Sequence, residues 1–272
     1  TDMIQMLFML ACCVLLVPWA LSADTGVVDM LHGLSGASGQ YASLFNANGR
    51  EVFLSFGLPT AIGLIAAPFG DQCFWQRAFS IREDKMDGAF RLGALLFAVV
   101  PLSMGILGLV AAGSGYVAHE SGMVNFELVA SLFPAWVMLP FLFMVISGLL
   151  STADSNLCAA ASLTSDFGGS MRTAKAAMLM QLALAIAIAN VPGLTVTDLF
   201  LIYGTLRATT MLPTVLTLNG NALSPGGITV GVAASLAVGM TVFILGTVCG
   251  NAVLKTAGSL LAVSLSGCIS LA

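Results

Sequence analysis

Apolar runs of membrane-spanning length alternate with short polar segments along this sequence. A transmembrane helix needs about 20 consecutive, mostly apolar residues. Runs of about this length or longer cover residues 2–21, 53–80, 89–112, 135–165, 173–190, 195–218, 228–248 and 252–272. The pattern predicts an all-α fold, a polytopic helical membrane protein with about eight transmembrane spans.

The second run is longer than a membrane crossing requires, and its middle contains a proline. Pro68 and Gly70 interrupt the run, and Asp71 and Gln72 follow them. Proline removes a backbone donor and clashes with the preceding turn. A helix broken at mid-membrane leaves carbonyls and amides free to bind a ligand, as in transporters. The pattern therefore favours one broken helix, with a simple proline kink as the alternative.

Composition supports membrane insertion of the whole chain. The 272 residues are 58% hydrophobic and only 8% charged, whereas soluble domains carry about 25% charged residues. Because the spans leave no room for a separate soluble domain, residues 1–272 are expected to form a single transmembrane domain. The chain is expected to be a multi-pass protein of the cell (plasma or inner) membrane, surrounded by the lipid bilayer.

Lysine and arginine are distributed unequally between the two sets of loops. One set carries Arg77, Arg82, Lys85, Arg91, Arg172 and Lys175, and the opposite set carries Arg50 and Lys255. Positive residues are enriched on the cytoplasmic side of membrane proteins. The loops at 77–91 and 166–175 are therefore predicted to be cytoplasmic.

The fourth span has an oxygen-rich face. When residues 146–166 are projected at 100° per residue, small and polar side chains fall on one side and apolar ones on the other. The polar side consists of Ser147, Gly148, Ser151, Thr152, Asp154, Ser155, Cys158, Ala159 and Ser162. A carboxylate in a bilayer should face protein or water and have a partner, and clustered oxygens suit a hard cation. We favour a cation site, with close helix packing through small residues as the alternative.

Other charged residues of the spans add to this interpretation. Asp2 lies at the cytoplasmic end of the first span, one turn from Gln5. Asp154 lies about one turn past mid-membrane on a helix that runs inward, so the two carboxylates are predicted at matching depth and able to share a cation. Arg207, in the sixth span, is expected to snorkel to the interface or, alternatively, to line the pathway.

Several functional classes have no motif in the sequence. It contains no Walker loop, no His-Glu-x-x-His, no Gly-x-Ser-x-Gly and no cofactor fingerprint. It has no basic patch beyond the membrane-flanking residues, which argues against nucleic-acid binding. The chain is therefore not expected to be an enzyme or to hold a cofactor.

Three motifs resemble the sodium:solute symporter family. Thr-Asp-Met-Ile-Gln at residues 1–5 resembles the Thr-Asp-x-x-Gln start of a core helix, residues 70–79 resemble the end of the broken helix, and Leu-Ser-Thr-Ala-Asp-Ser at residues 150–155 resembles the sodium-site helix. The resemblance covers nearly the whole chain and implies a LeuT-like fold of two inverted five-helix repeats. It makes the chain a fragment with core helix 5, core helices 6–10 and extra peripheral helices, lacking core helices 1–4.

The resemblance also implies binding positions, with sodium as the only metal and as the coupling ion. The common sodium site of the family maps to Gly148, Ser151 and Thr152. The second cation site maps to Asp2, Ser151, Asp154 and Ser155. The substrate would touch the unwound region at Ala66, Ala67, Pro68 and Phe69, together with Gln72.

The function implied by the resemblance is sodium-coupled secondary active transport, a symport of a small organic solute by the intact protein. The alternative is a transporter-like sensor domain of a longer signalling protein. Sugar-transporting relatives have aromatic residues where this chain has Ala66, Ala67 and Pro68, so a sugar is disfavoured. Amino acids, urea-like solutes, carboxylates and vitamins remain open, as does the oligomeric state. Without core helices 1–4, the chain alone is not expected to transport.

Overall fold

The computed structural model describes residues 2–36, 39–41, 43, 45–119 and 121–271, without the side chains of Asp2 and Ser121. These residues are mostly helical, and no β-strand occurs among them. In chain order the α-helices are α1 (Asp2–Leu21), α2 (Gly26–Gly33), α3 (Ala47–Val52), α4 (Leu58–Gly70), α5 (Gln72–Ser80), α6 (Met86–Gly113), α7 (Val124–Leu132), α8 (Met138–Asp166), α9 (Met171–Ala189), α10 (Val196–Leu218), α11 (Pro225–Ala234), α12 (Thr241–Val248) and α13 (Ala252–Leu271).

Eight helical stretches in the described part of the chain are long and apolar enough to cross a membrane. They are Met3–Leu21, Ala47–Gly70, Glu83–Gly113, Ala135–Asp166, Met171–Ala189, Val196–Leu218, Pro225–Val248 and Ala252–Leu271. The predicted all-α fold and the predicted number of long apolar helices are confirmed. The LeuT-like arrangement of those helices stays a prediction.

The second span differs in detail from its prediction. A π-helical segment, Phe53–Gly57, joins α3 to α4, so one continuous helix runs from residue 47 to residue 70. The helix breaks at Asp71, which is extended with φ −112° and ψ 112°, and α5 starts at the next residue. The sequence pattern indicates an interruption at Pro68 and Gly70, and the resemblance implies an unwound region at Ala66–Phe69, but these residues are helical. A proline so near the end of a helix removes only one of its last hydrogen bonds.

The chain divides into two compact units. The first unit comprises residues 1–43 and 78–188, and the second comprises residues 44–77 and 189–272. This division does not test the expectation of a single transmembrane domain over residues 1–272, which stays a prediction.

The first unit is organised around α1, α6 and α8. Its buried apolar residues lie on these three helices, on α7 and in the segment between α7 and α8. They are Cys12, Cys13, Leu16, Ala20, Leu107, Val110, Ala111, Leu128, Val129, Phe133, Val137, Phe141 and Met144. The backbone of α2 packs directly against that of α6, since a Cβ at Gly113 would overlap the Asp29 carbonyl. Such close packing is what holds helices together in lipid, where apolar burial gives little.

The second unit is organised around α4, α10 and α13. The backbones of α4 and α10 touch at Gly63 and Gly204, where an added Cβ on Gly63 would lie 2.6 Å from the Gly204 Cα. The buried hydroxyls of Thr205 and Ser259 join α10 to α13 with a 3.0 Å hydrogen bond. A second π-helical segment, Ser235–Met240, joins α11 to α12, and this span also packs on α13.

Candidate functional site

In the first unit, α1 and α8 pack in antiparallel directions. Near the end of α1, the ring of Trp19 lies 6.0 Å from that of Trp136, just before α8 begins. Ten residues earlier in α1, Met9 contacts Gly148, whose added Cβ would lie 3.2 Å from the Met9 Cε. The contacts move towards the start of α1 as they move towards the end of α8, so the two helices run in opposite directions.

This register puts the start of α1 level with the middle of α8. Asp2 precedes Met9 by seven residues, and Ser155 follows Gly148 by seven. At 1.5 Å per residue, both positions lie about 10 Å beyond the contact, in the same direction. The backbone of Asp2 is therefore at the level of Ser155, although the Asp2 side chain lies outside the described residues.

The inner stripe of α8 changes from apolar to hydroxyl-bearing at Ser147. Phe141 and Met144 are buried, and Ser147 follows on the same stripe with 4% of its surface exposed. Ser151 and Ser155 continue the stripe and are half-buried. The structure therefore brings two predicted ligand residues to the face of α8 that packs inside the unit.

The predicted common sodium site lies on consecutive turns of α8. The Thr152 hydroxyl donates to the Gly148 carbonyl oxygen over 3.0 Å, so these two predicted ligand oxygens are adjacent. A hydroxyl that donates its proton still presents lone pairs to a cation. Ser151 is half-buried beside them, whereas Thr152 is exposed.

Asp154 has a different environment from its predicted neighbours. Its side chain is exposed, and no described side chain pairs with it. In a bilayer such a carboxylate needs water, a cation or a partner group. Its role in the second cation site stays a prediction.

Two polar residues that the predicted sites omitted lie on the same two helices. Gln5 Oε1 and Ser147 Oγ are buried and have no hydrogen-bond partner among the described residues. A buried polar atom without a partner costs about 1–3 kcal/mol, so each needs a partner or a ligand. The sequence signal was present, since Gln5 lies one turn after Asp2 and Ser147 lies on the polar face of α8.

In the second unit, the broken helix is held by a partly buried ion pair. Asp71 Oδ1 accepts a 2.9 Å hydrogen bond from the Cys73 amide and so caps α5. Asp71 Oδ2 accepts from Arg207 Nη2 at 2.5 Å, and the two side chains are 13% and 19% exposed. The Arg207 Cζ lies 3.8 Å above the Tyr203 ring centroid. Arg207 lies at the middle of α10, and its side chain is bound within the unit, contrary to the expectation of snorkelling.

The predicted substrate-lining residues lie on either side of this break, at the end of α4 and the start of α5. Ala66 is fully buried and packs with Ala208 and Ala262. A cavity of about 220 Å³ lies along the contact between α4 and α10, one helical turn before Ala66. Its walls are Pro59, Thr60, Gly63, Leu64, Phe200, Leu201, Tyr203, Gly204 and Arg207. None of Ala66, Ala67, Pro68, Phe69 and Gln72 lines it.

Comparisons with known proteins do not assign a family to the chain. No protein-family model, no curated protein and no solved structure matches it.

Proposed function

We propose that this chain is part of a sodium-coupled secondary transporter that carries a small organic solute across the plasma or inner membrane by symport. The observation that supports the proposal is the antiparallel register of α1 and α8, which levels Asp2 with Ser155. Oxygen-bearing residues of two separate spans then occur at one depth. Sodium is the coupling ion in this proposal, and it binds at Gly148, Ser151 and Thr152, with a second cation at Asp2, Ser151, Asp154 and Ser155.

The physical basis is the need of a desolvated cation for oxygen ligands. Carboxylates within a membrane are costly unless they are paired or hydrated, and a bound cation offsets that cost. The buried oxygens of Gln5 and Ser147 lack partners, which is compatible with a ligand on these helices. Sodium drives solute uptake when both ligands stabilise the same conformation, because the coupling between two sites is reciprocal.

The proposal is tested by sodium binding to the purified chain in detergent, measured by isothermal titration with NaCl against KCl at constant ionic strength. Saturable binding of sodium over potassium is expected. Asp2→Asn and Ser151→Ala should each weaken it by at least about tenfold, since each removes an oxygen ligand or its charge. Ser165→Ala is the matched control, since Ser165 is an exposed hydroxyl residue on α8 three turns beyond the site.

Two results would contradict the proposal. One is equal binding of sodium and potassium by the wild-type chain. The other is wild-type sodium affinity in Asp2→Asn and Ser151→Ala proteins that retain the wild-type thermal midpoint.

A further inference from the structure

The Arg207 guanidinium in the second unit uses only half of one hydrogen-bonding edge. Its Nη2 donates to Asp71 Oδ2, whereas its Nε is buried without a hydrogen-bond partner among the described residues. Nε and Nη2 point their N–H bonds in the same direction and together match the two oxygens of one carboxylate. The Asp71–Arg207 pair therefore leaves a bidentate site half filled.

Asp71 fills only one of the two positions. Its Oδ2 accepts from Nη2, whereas its Oδ1 accepts from the Cys73 amide and caps α5. The cap uses Oδ1 and does not involve the contact of Oδ2 with Nη2. The Tyr203 ring, 3.8 Å from the Arg207 Cζ, holds the guanidinium plane.

The cavity beside Arg207 has the composition expected around a small amphipathic ligand. Its walls are mainly apolar, from Pro59, Leu64 and Leu201 among others, and Arg207 forms one part of them. Thr60 adds a buried hydroxyl that also has no partner in the described structure. The volume of about 220 Å³ is below the range of about 300–1,000 Å³ of drug-sized sites, so the ligand must be small.

We propose that this cavity binds a small monocarboxylate. The ligand carboxylate displaces Asp71 Oδ2 and takes both Nε and Nη2 of Arg207, and its short apolar tail occupies the cavity. As an assignment of the transported solute, this rests on the proposed transport function. Binding of a carboxylate at Arg207 does not require that function.

Trp75 provides a direct signal for this exchange. Its indole Nε1 donates to the Phe69 carbonyl at the helix break over 3.2 Å, so a change at Asp71 alters its surroundings. The chain has three tryptophans, and the other two, Trp19 and Trp136, are 40% and 63% exposed. Replacing both by phenylalanine makes Trp75 the single fluorophore in the full chain.

The experiment titrates this protein in sodium-free buffer with propionate and benzoate, each compared with its amide, propionamide and benzamide. Saturable change of Trp75 fluorescence is expected with the carboxylates, at least about tenfold tighter than with the amides, which lack the charge that arginine recognises. Asp71→Asn should tighten carboxylate binding by about tenfold or more, because it removes the competing carboxylate. If the Asp71–Arg207 pair had a purely structural role, Asp71→Asn would instead disorder the break and would not tighten carboxylate binding.

Two further variants keep the test decisive if Asp71→Asn fails to fold. Arg207→Lys keeps the charge opposite Asp71 but removes the bidentate edge, so carboxylate affinity should fall by at least about tenfold in a folded protein. Asp71→Asn with Arg207→Gln keeps a neutral hydrogen-bonding pair and should bind no carboxylate.

Three outcomes would overturn the proposal: equal binding of amides and carboxylates, wild-type affinity in Arg207→Lys, or carboxylate binding by the neutral double variant. The buffer contains no sodium, so failure here leaves the sodium-binding test unaffected. Conversely, carboxylate binding without sodium binding would support the carboxylate site at Arg207 and contradict the proposed sodium-coupled transport.

Discussion

Charged residues in the apolar helices of this chain differ in whether the fold gives them an oppositely charged partner. Asp71 and Arg207 are mostly buried in the second unit and bind each other, whereas Asp154 in the first unit is exposed and has no partner among the described side chains. Removing one member of a buried ion pair costs about 3–5 kcal/mol, because the other charge is left uncompensated. A single carboxylate in an apolar helix therefore indicates a need for a partner, but not which partner meets it.

Glu127, between the third and fourth spans, offers a pH-dependent test at this scale. Its Oε2 lies 3.2 Å from His119 Nδ1 and accepts from the His119 amide and the Tyr116 hydroxyl. Hydrogen bonds from His119, with a smaller contribution from Tyr116, lower the pKa of Glu127 below its ordinary value. Because the pKa is lowered on folding, these hydrogen bonds stabilise the loop fully at pH values above the ordinary glutamate pKa of about 4.3. That stabilisation is lost as the pH falls through the lowered pKa of Glu127.

The measurement is an NMR titration of the Glu127 carboxyl carbon, assigned by its loss in Glu127→Gln. Its midpoint should lie below the ordinary glutamate value and should rise in His119→Ala and, by less, in Tyr116→Phe. A midpoint unchanged by His119→Ala would refute the assignment of the shift to these hydrogen bonds.

At the scale of elements, glycines decide how closely helices approach. Gly63 on α4 and Gly204 on α10 bring two backbones into direct contact. On α6, by contrast, Gly105 has open space around its Cα. Helix association in lipid depends on such close packing rather than on apolar burial, so the two kinds of glycine should respond oppositely to an added side chain.

Gly63→Val should destabilise the second unit by about 1–3 kcal/mol, because the new side chain overlaps the Gly204 backbone. Gly105→Ala is the matched control and should be neutral or stabilising by up to about 1 kcal/mol, since alanine is the better helix former. Thermal unfolding in detergent, followed by circular dichroism, measures both. Equal midpoints for wild type and Gly63→Val would show that α4 and α10 are not in this close contact.

At the scale of the whole molecule, helix directions within each unit agree with alternating membrane crossings. In the second unit α4, α10 and α13 start at the same end, since Leu54 of the first of these spans accepts from Thr256, and Lys255 pairs with Asp198. In the first unit α1 and α8 are antiparallel. If the spans alternate in direction, spans two, six and eight cross the membrane in the same direction, and spans one and four cross it in opposite directions. Both relations are observed within the units.

The predicted sidedness is tested by thiol labelling of intact cells, after the six native cysteines are replaced by serine. A cysteine at Asp24 or Val117 should react with a membrane-impermeant maleimide. A cysteine at Arg82 or Phe167 should react only after permeabilisation, because lysine and arginine retain their loops in the cytoplasm. The reverse pattern would show that the orientation is inverted, and labelling of all four positions in intact cells would refute the alternating topology.

Much of the architecture follows from the sequence because it depends on local properties. The length and apolar character of each run determine whether a helix can span a bilayer, and Pro68 and Gly70 indicate a break close to where one occurs. The hydroxyl stripe of α8 follows from helical spacing alone.

The tertiary structure decided the position of the break and the groups around it. Asp71 and Arg207 are 136 residues apart, and no local pattern relates them. The break falls at Asp71, rather than at Ala66–Phe69, because this carboxylate both caps α5 and pairs with α10. Similarly, the register that levels Asp2 with Ser155 depends on the contact of Met9 with Gly148, because the packing of two helices, and not the sequence of either, sets their relative height.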